Sequence, residues 1–246
     1  MSRAGDVIHT TVSRPGPAES KILAALSSIA TPRPMIGSGV ALRALAGGPR
    51  GDAPSLVLLH GRGHAATIWA RWIEAFGRER QVLALDLPGF GHSGAGPLAP
   101  GAEGAISFFS DPVEDVLARE GPVVLVGHSL GGLVALELTL RGRVDVRGLV
   151  LIGAMGLSPY VRLGARAYLR FGPERLARLR DTVSITGRRS ERANGPGVEG
   201  DPDIAALRRE LYLVRGGRPE GKRAFDAMLP LVGDAFHRRD RLADVG

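Results

Sequence analysis

Pro122-Val123-Val124-Leu125-Val126-Gly127-His128-Ser129-Leu130-Gly131-Gly132-Leu133-Val134-Ala135-Leu136-Glu137-Leu138 is the stretch that decides the fold. Its first five residues are an unbroken apolar run, the pattern of a parallel strand buried on both faces. Leu130 to Arg141 is apolar and free of proline, as the helix after such a strand should be. Between them, Gly127-x-Ser129-x-Gly131 fits a nucleophile elbow, a turn so sharp that a serine hydroxyl is thrust out at the top of a parallel sheet. Glycine suits positions 127 and 131 because side chains would collide there. Ser129 is therefore the first candidate for chemistry. In a chain with 35 glycines the pentapeptide alone arises easily by chance, so the strand before it and the helix after it carry the reading.

The chain has 246 residues, enough for one α/β domain with a sizeable core. Nowhere does it approach the run of about 18 apolar residues that a membrane span requires. No stretch near the N-terminus has signal-peptide form, since Ile22 to Ala30 is short and interrupted by Ser27 and Ser28. A cytoplasmic protein without a transmembrane segment is expected. The absence of cysteine removes disulfides, thiolate metal sites and cysteine nucleophiles. The net charge of +7 is concentrated between Val161 and Arg223, where 15 Lys and Arg face 8 Asp and Glu. Arginines recurring at helical spacing read first as a solvated helix face, and second as attraction to an anionic substrate or lipid surface. With few aromatics and no binding motif in the segment, nucleic acid is not an expected partner.

Outward from the elbow, strands and helices alternate, which implies a mostly parallel sheet with helices on both faces. Strands are predicted at Val40 to Ala46, Ser55 to His60, Gln81 to Asp86 and Arg147 to Gly153. An amphipathic helix is predicted over Thr67 to Glu79. Asp111-Pro112-Val113-Glu114 has the form of an N-cap, a first-turn proline and a capping-box glutamate, predicting a helix from there to about Glu120. Beyond Gly156 the pattern becomes helical, around Tyr160 to Phe171, Pro173 to Val183 and Asp203 to Val214, with a polar Gly- and Arg-rich stretch at 187–201. This segment reads as a helical cap inserted after a sheet strand. The expected organisation is an N-terminal extension at 1–34, a core at 35–156, a cap at 157–232 and a return toward the core at 233–246.

With these motifs in hand, the chain resembles the α/β-hydrolase family, in its single-domain, cap-bearing branch. The likeness rests on Leu58-Leu59-His60-Gly61-Arg62-Gly63, Asp86-Leu87-Pro88-Gly89-Phe90-Gly91-His92-Ser93, the elbow at 127–132, and Val150-Leu151-Ile152-Gly153, all in the family's order. It implies a serine hydrolase acting on a carboxylic ester or related acyl bond, without cofactor or metal. Acyl transfer needs a nucleophile, a base and donors aimed at the developing oxyanion. Ser129 supplies the first. By the resemblance, the oxyanion donors are the backbone N–H groups of Leu130 and Arg62, with Gly61 shaping the second turn. His60, His64 and His128 are candidates for lining the pocket, although His60 and His128 adjoin apolar strands and read as packed, hydrogen-bonded residues sooner than as catalysts.

The resemblance also implies an acid and a histidine on loops after later strands. The chain stops at Gly246, before any residues that match them, so the C-terminal strands are expected to be missing. His237, with Asp234 and Asp240 nearby, is a weak substitute base, and Asp145 lies at the wrong end of its strand. Two alternatives stand beside the hydrolase. One is an acyltransferase or lipid-handling member of the same fold, suggested by the basic cap and the Trp69-bearing helix. The other is a non-catalytic binding protein or inactive gene fragment. The expected substrate is a small acyl or ester compound, with a lipid or anionic molecule as the variants.

Overall fold

A computed structural model describes residues 14–158, 202–215, 218–233 and 236–245. Helix α1 (Pro17–Leu26) is followed by β1 (Ala30–Gly37), β2 (Val40–Gly47) and β3 (Ser55–Leu59). A 3-10 turn (Ala66–Trp69) runs into α2 (Ala70–Phe76), then come β4 (Val82–Leu85) and α3 (Gly101–Leu117). The elbow joins β5 (Val123–His128) to α4 (Leu130–Arg141), which leads to β6 (Val146–Ile152). Two more helices, α5 (Pro202–Arg215) and α6 (Pro219–Gly233), precede a terminal 3-10 turn (Arg239–Asp244).

The six strands form one sheet in the order β1-β2-β4-β3-β5-β6, antiparallel through β1, β2 and β4 and parallel from β4 onward. Alternate residues feed two cores. Val57, Leu59, Leu83, Leu85 and Leu125 pack with α3, α4 and α6, while Leu56, Leu58, Val82, Ala84 and Val126 pack with α1, α2 and α5. Helices thus cover both faces, as a parallel sheet with apolar strands requires. β3 and β5 are adjacent, but the chain leaves β3 toward β4 on one side and reaches β5 on the other. Their carboxyl ends form the crevice where ligands enter open α/β sheets. His60-Gly61 follows β3 there, and Ser129 follows β5.

Two expectations are corrected. Residues 30–34, assigned to an N-terminal extension, lie in β1, an edge strand closed onto β2 by Ser38 and Gly39, both at positive φ. Pro32 and Pro34 are tolerated because an edge strand leaves one side unpaired. Asp111-Pro112 does not open a helix; Pro112 lies inside α3, which begins at Gly101. Upstream residues Ala105, Ile106, Phe108 and Phe109 are buried on the same helix face as Val113 and Val116, so packing carries the helix through the proline. Asp111 and Glu114 instead accept from Arg141, at 2.7 and 3.1 Å.

The helix expected at Asp203 to Val214 is α5. The helices expected at 160–171 and 173–183 lie outside the described residues. The outer edge of β6 pairs with no strand among the described residues, and Val150 and Ile152 on it are exposed. No helix among the described residues is long and apolar enough to cross a membrane.

Candidate active site at the carboxyl ends of β3 and β5

Ser129 stands alone between β5 and α4 with φ 53° and ψ −113°, a conformation outside the regions ordinary L-residues occupy. The surrounding backbone holds it there. Its N–H donates to Ile152 O at 3.0 Å, and its carbonyl accepts from Gly132, Leu133 and Met155 at 3.1, 3.2 and 2.9 Å. Strain of this kind persists only where neighbouring structure over-determines it. The elbow glycines make the turn possible. A Cβ at Gly127 would lie 2.4 Å from Gly131 O, and one at Gly131 would lie 2.2 Å from Leu59 O. Strand β3 therefore presses directly on the first turn of α4.

The other wall of the site is the turn after β3. A Cβ at Gly61 would sit 3.2 Å from Ser129 Cβ and 2.8 Å from His128 Nδ1, so this turn approaches the serine as closely as a glycine allows. His60, fully buried, holds it: Nδ1–H donates to Gly61 O at 2.7 Å and Nε2 accepts from Leu87 N–H at 3.0 Å. Burial lowers its pKa, keeping the ring neutral as this tautomer requires. His60 therefore braces the turn and does not line a pocket, which corrects that expectation. His128, next to Ser129 in the chain, and His64, whose N–H donates to Gly61 O at 3.3 Å, are partly exposed. Burial, with neighbouring His60, Arg208 and His128, pushes His64 down to about 3, and burial with Arg208 lowers His128. Both are neutral near pH 7.

Arg62 follows Gly61, and its guanidinium lies over the Phe225 ring of α6, 5.1 Å from the centroid. The side chain is thus engaged with a helix beyond β6. Leu130 is the first residue of α4, and its N–H has no hydrogen-bond partner among the described residues. The Ser129 hydroxyl likewise makes no hydrogen bond to them. His237 makes no hydrogen bond to Ser129; its neighbour Arg238 donates its N–H to Gly156 O at 2.8 Å and pairs with Glu137 and Glu103. Among the described residues no group of three His, Asp or Glu could hold a metal ion.

The residues that brace the site from below were not readable in the sequence as a set. Asp86, fully buried, accepts from Arg43 Nε at 2.6 Å, Ala66 N–H at 2.6 Å and His92 N–H at 2.8 Å. Burial alone would raise its pKa, but Arg43, His60 and these donors hold it below the usual carboxylate range. A strand-end aspartate before Pro-Gly was a usable signal for a turn-binding carboxylate. Arg43 on β2 and Glu19 on α1 carried none, because their contacts are long-range.

A serine at forced positive φ, between a parallel strand and a helix, at the crevice of a sheet with this strand order, meets the matching of residues 56–244 to the alpha/beta hydrolase family. The chain belongs to the alpha/beta hydrolase family. Among curated relatives of this chain is a 2-hydroxymuconate semialdehyde hydrolase from a Pseudomonas species, 31% identical over 178 residues, 71% of this chain and 58% of the relative. Another is a pimeloyl-[acyl-carrier protein] methyl ester esterase from Aeromonas hydrophila, 36% identical over 104 residues, 42% of this chain and 39% of the relative. The chain thus spans roughly two-fifths to three-fifths of their length. Among solved structures, a 2-hydroxy-6-oxo-6-phenylhexa-2,4-dienoate hydrolase from Rhodococcus sp. strain RHA1 superposes with a TM-score of 0.68 at 21% identity, covering 88% of this chain and 78% of its own. This last likeness speaks for the fold.

Proposed function

We propose that this hydrolase cleaves a carboxylic ester or related acyl bond with Ser129 as nucleophile. The observation that carries the reading is the Ser129 backbone, held at φ 53° with its hydroxyl bonded to none of the described residues and Gly61 drawn against it. In the proposed reaction Oγ attacks the substrate carbonyl carbon and gives its proton to solvent water, which returns one to the leaving alcohol. The carbonyl oxygen becomes an oxyanion, received by the backbone N–H groups of Leu130 and Arg62. Collapse breaks the bond to the alcohol oxygen, which leaves protonated, and water then releases the acyl group from Ser129. The described residues place no proton acceptor on the Ser129 hydroxyl, so they supply positioning and oxyanion stabilisation. Relatives named as an esterase and a hydrolase support the class of reaction.

Arg208, exposed on α5, forms no ion pair among the described residues, and its charge reaches His64 and His128. This favours an acyl substrate carrying negative charge. The test is labelling of the full chain with a fluorophosphonate, followed by peptide mass spectrometry. A single adduct on Ser129, lost in Ser129→Ala, supports the reading. A chain that leaves the probe unreacted, or reacts at another serine, refutes it. Adding alcohol acceptors to an ester assay separates hydrolysis from acyl transfer: a rise in acylated acceptor over free acid favours the transferase.

A further inference from the structure

We propose that Glu210, on α5, is a positioning residue that fixes α5 beside the Ser129 site by capping the N-terminus of α1. The inference rests on the reading of Ser129 as the reacting group. Helix α1 begins at Gly16-Pro17, where the N-cap residue has no side chain and the first helical residue has no N–H. The first free donors are Ala18 and Glu19. Both are taken by one carboxylate from the far end of the chain: Ala18 N–H donates to Glu210 Oε2 at 2.8 Å and Glu19 N–H to Glu210 Oε1 at 3.2 Å. Helix N-termini normally find such an acceptor in their own N-cap side chain, so here the cap is supplied by another helix. The seat is fitted to it, since a Cβ at Gly16 would lie 2.3 Å from Glu210 Cδ.

Glu19 continues the connection into the core. While its N–H meets Glu210, its fully buried carboxylate accepts from Arg43 Nη2 at 2.9 Å and from His92 Nε2 at 3.0 Å. Arg43 in turn holds Asp86, and Asp86 Oδ1 holds Ala66 N–H, at the start of the 3-10 turn that follows His64. Charge-assisted hydrogen bonds therefore run without a break from α5 through α1 to the loop beside the serine. On α5 itself, Leu207 and Leu211 are buried in the core that contains Ile22, Leu26, Ala65, Ala66 and Trp69. Arg208, next to Leu207, is thereby carried toward His64 and His128. The exposed Lys21 to Asp203 pair, at 2.8 Å, is a weak addition to the same contact.

Loss of a cap loosens the elements it joins whatever its role, whereas only a positioning cap alters how Ser129 discriminates between substrates. Hydrogen exchange followed by mass spectrometry on the full chain maps the first effect and fluorophosphonate labelling reads the second, using Glu210→Ala, Glu210→Gln, Gly16→Ala and, as control, Lys21→Ala. The expected result is about tenfold faster exchange in 17–26 and 202–215 for Glu210→Ala, the size of effect one lost cap gives, with β3 and β5 unchanged. Glu210→Gln, which keeps an acceptor oxygen, should recover part of the protection. Gly16→Ala, which intrudes on the carboxylate without removing it, should reproduce the pattern even where Glu210→Ala folds poorly. The ratio of Ser129 labelling rates by short- and long-chain fluorophosphonates should also narrow in Glu210→Ala. Unchanged exchange in α5, an equal rise in β3, β5 and α5, or an unchanged ratio of labelling rates in Glu210→Ala overturns the proposal. Should wild-type protein fail to label at Ser129, the catalytic reading falls while the exchange pattern still decides the role of Glu210.

Discussion

Replacing Ser129 by glycine should make this protein more stable while removing its candidate nucleophile. The backbone at 129 sits at φ 53° and ψ −113°, which an L-residue occupies at a cost of about 1–3 kcal/mol. Glycine adopts it without a Cβ clash, but it gains unfolded-chain entropy worth roughly 0.5–1 kcal/mol. The balance is a gain of about 1 kcal/mol. Ser129→Ala is the reference, because it keeps Cβ and therefore the strain. The hydroxyl it removes bonds to none of the described residues, so its stability should stay within about 0.5 kcal/mol of wild type. In urea unfolding, with a slope toward the upper part of the usual range of about 1–3 kcal/mol per molar, Ser129→Gly should shift the midpoint upward by roughly 0.4 M relative to Ser129→Ala. A midpoint for Ser129→Gly at or below that of Ser129→Ala would show that the elbow stores no strain at the serine, and the argument for a forced geometry would fail.

Gly131→Ala, whose Cβ would meet Leu59 and His60 backbone atoms, should cost at least about 1–3 kcal/mol by overpacking. Gly148→Ala on β6, where the Cβ meets only Val124 side-chain atoms at 3.4 Å or more, should stay within about 0.5 kcal/mol; equal urea midpoints for the two would refute the packing argument. Stability should be greatest above about pH 6.5 and fall below it, because His60, His64 and His128 have lowered pKa values and the unfolded chain takes up protons first. Loss of the Asp86 contribution should follow below about pH 4. Urea midpoints that stay flat or rise from pH 7 to 5 would contradict this. With p-nitrophenyl esters, the full chain should exceed the water rate by no more than about 10³–10⁴-fold, since no described residue accepts the Ser129 proton. Turnover well above that, abolished in Ser129→Ala, would reveal a base that the described residues do not show.

Much of the site was legible before the structure because its signals are local. The elbow needs glycines at fixed offsets and an apolar strand immediately before it, and both constraints act within a dozen residues, so Ser129, Gly127 and Gly131 could be read directly. The same holds for β3, β4 and β5, whose apolar runs match burial on two faces, while β6 was read from a similar run although Val150 and Ile152 on it are exposed. Local reading failed where a distant partner changed the outcome. Asp111-Pro112-Val113-Glu114 has every mark of a helix start, yet packing of Phe108, Phe109 and Val113 in the core extends α3 back to Gly101. His60 could be placed at the end of a strand, but its two hydrogen bonds, to Gly61 and Leu87, depend on which strands lie side by side.

The sequence by itself determined strands β2 to β6, the elbow and the serine, since periodicity and turn chemistry are properties of neighbours along the chain. Only the tertiary structure decided that Arg62 lies on Phe225, that Arg43 joins Glu19 to Asp86, and that Glu210 caps a helix 191 residues earlier. The physical reason is that a buried carboxylate must find its donors wherever folding brings them. The choice among the chain's 32 basic residues is made by proximity in space, which no local pattern encodes.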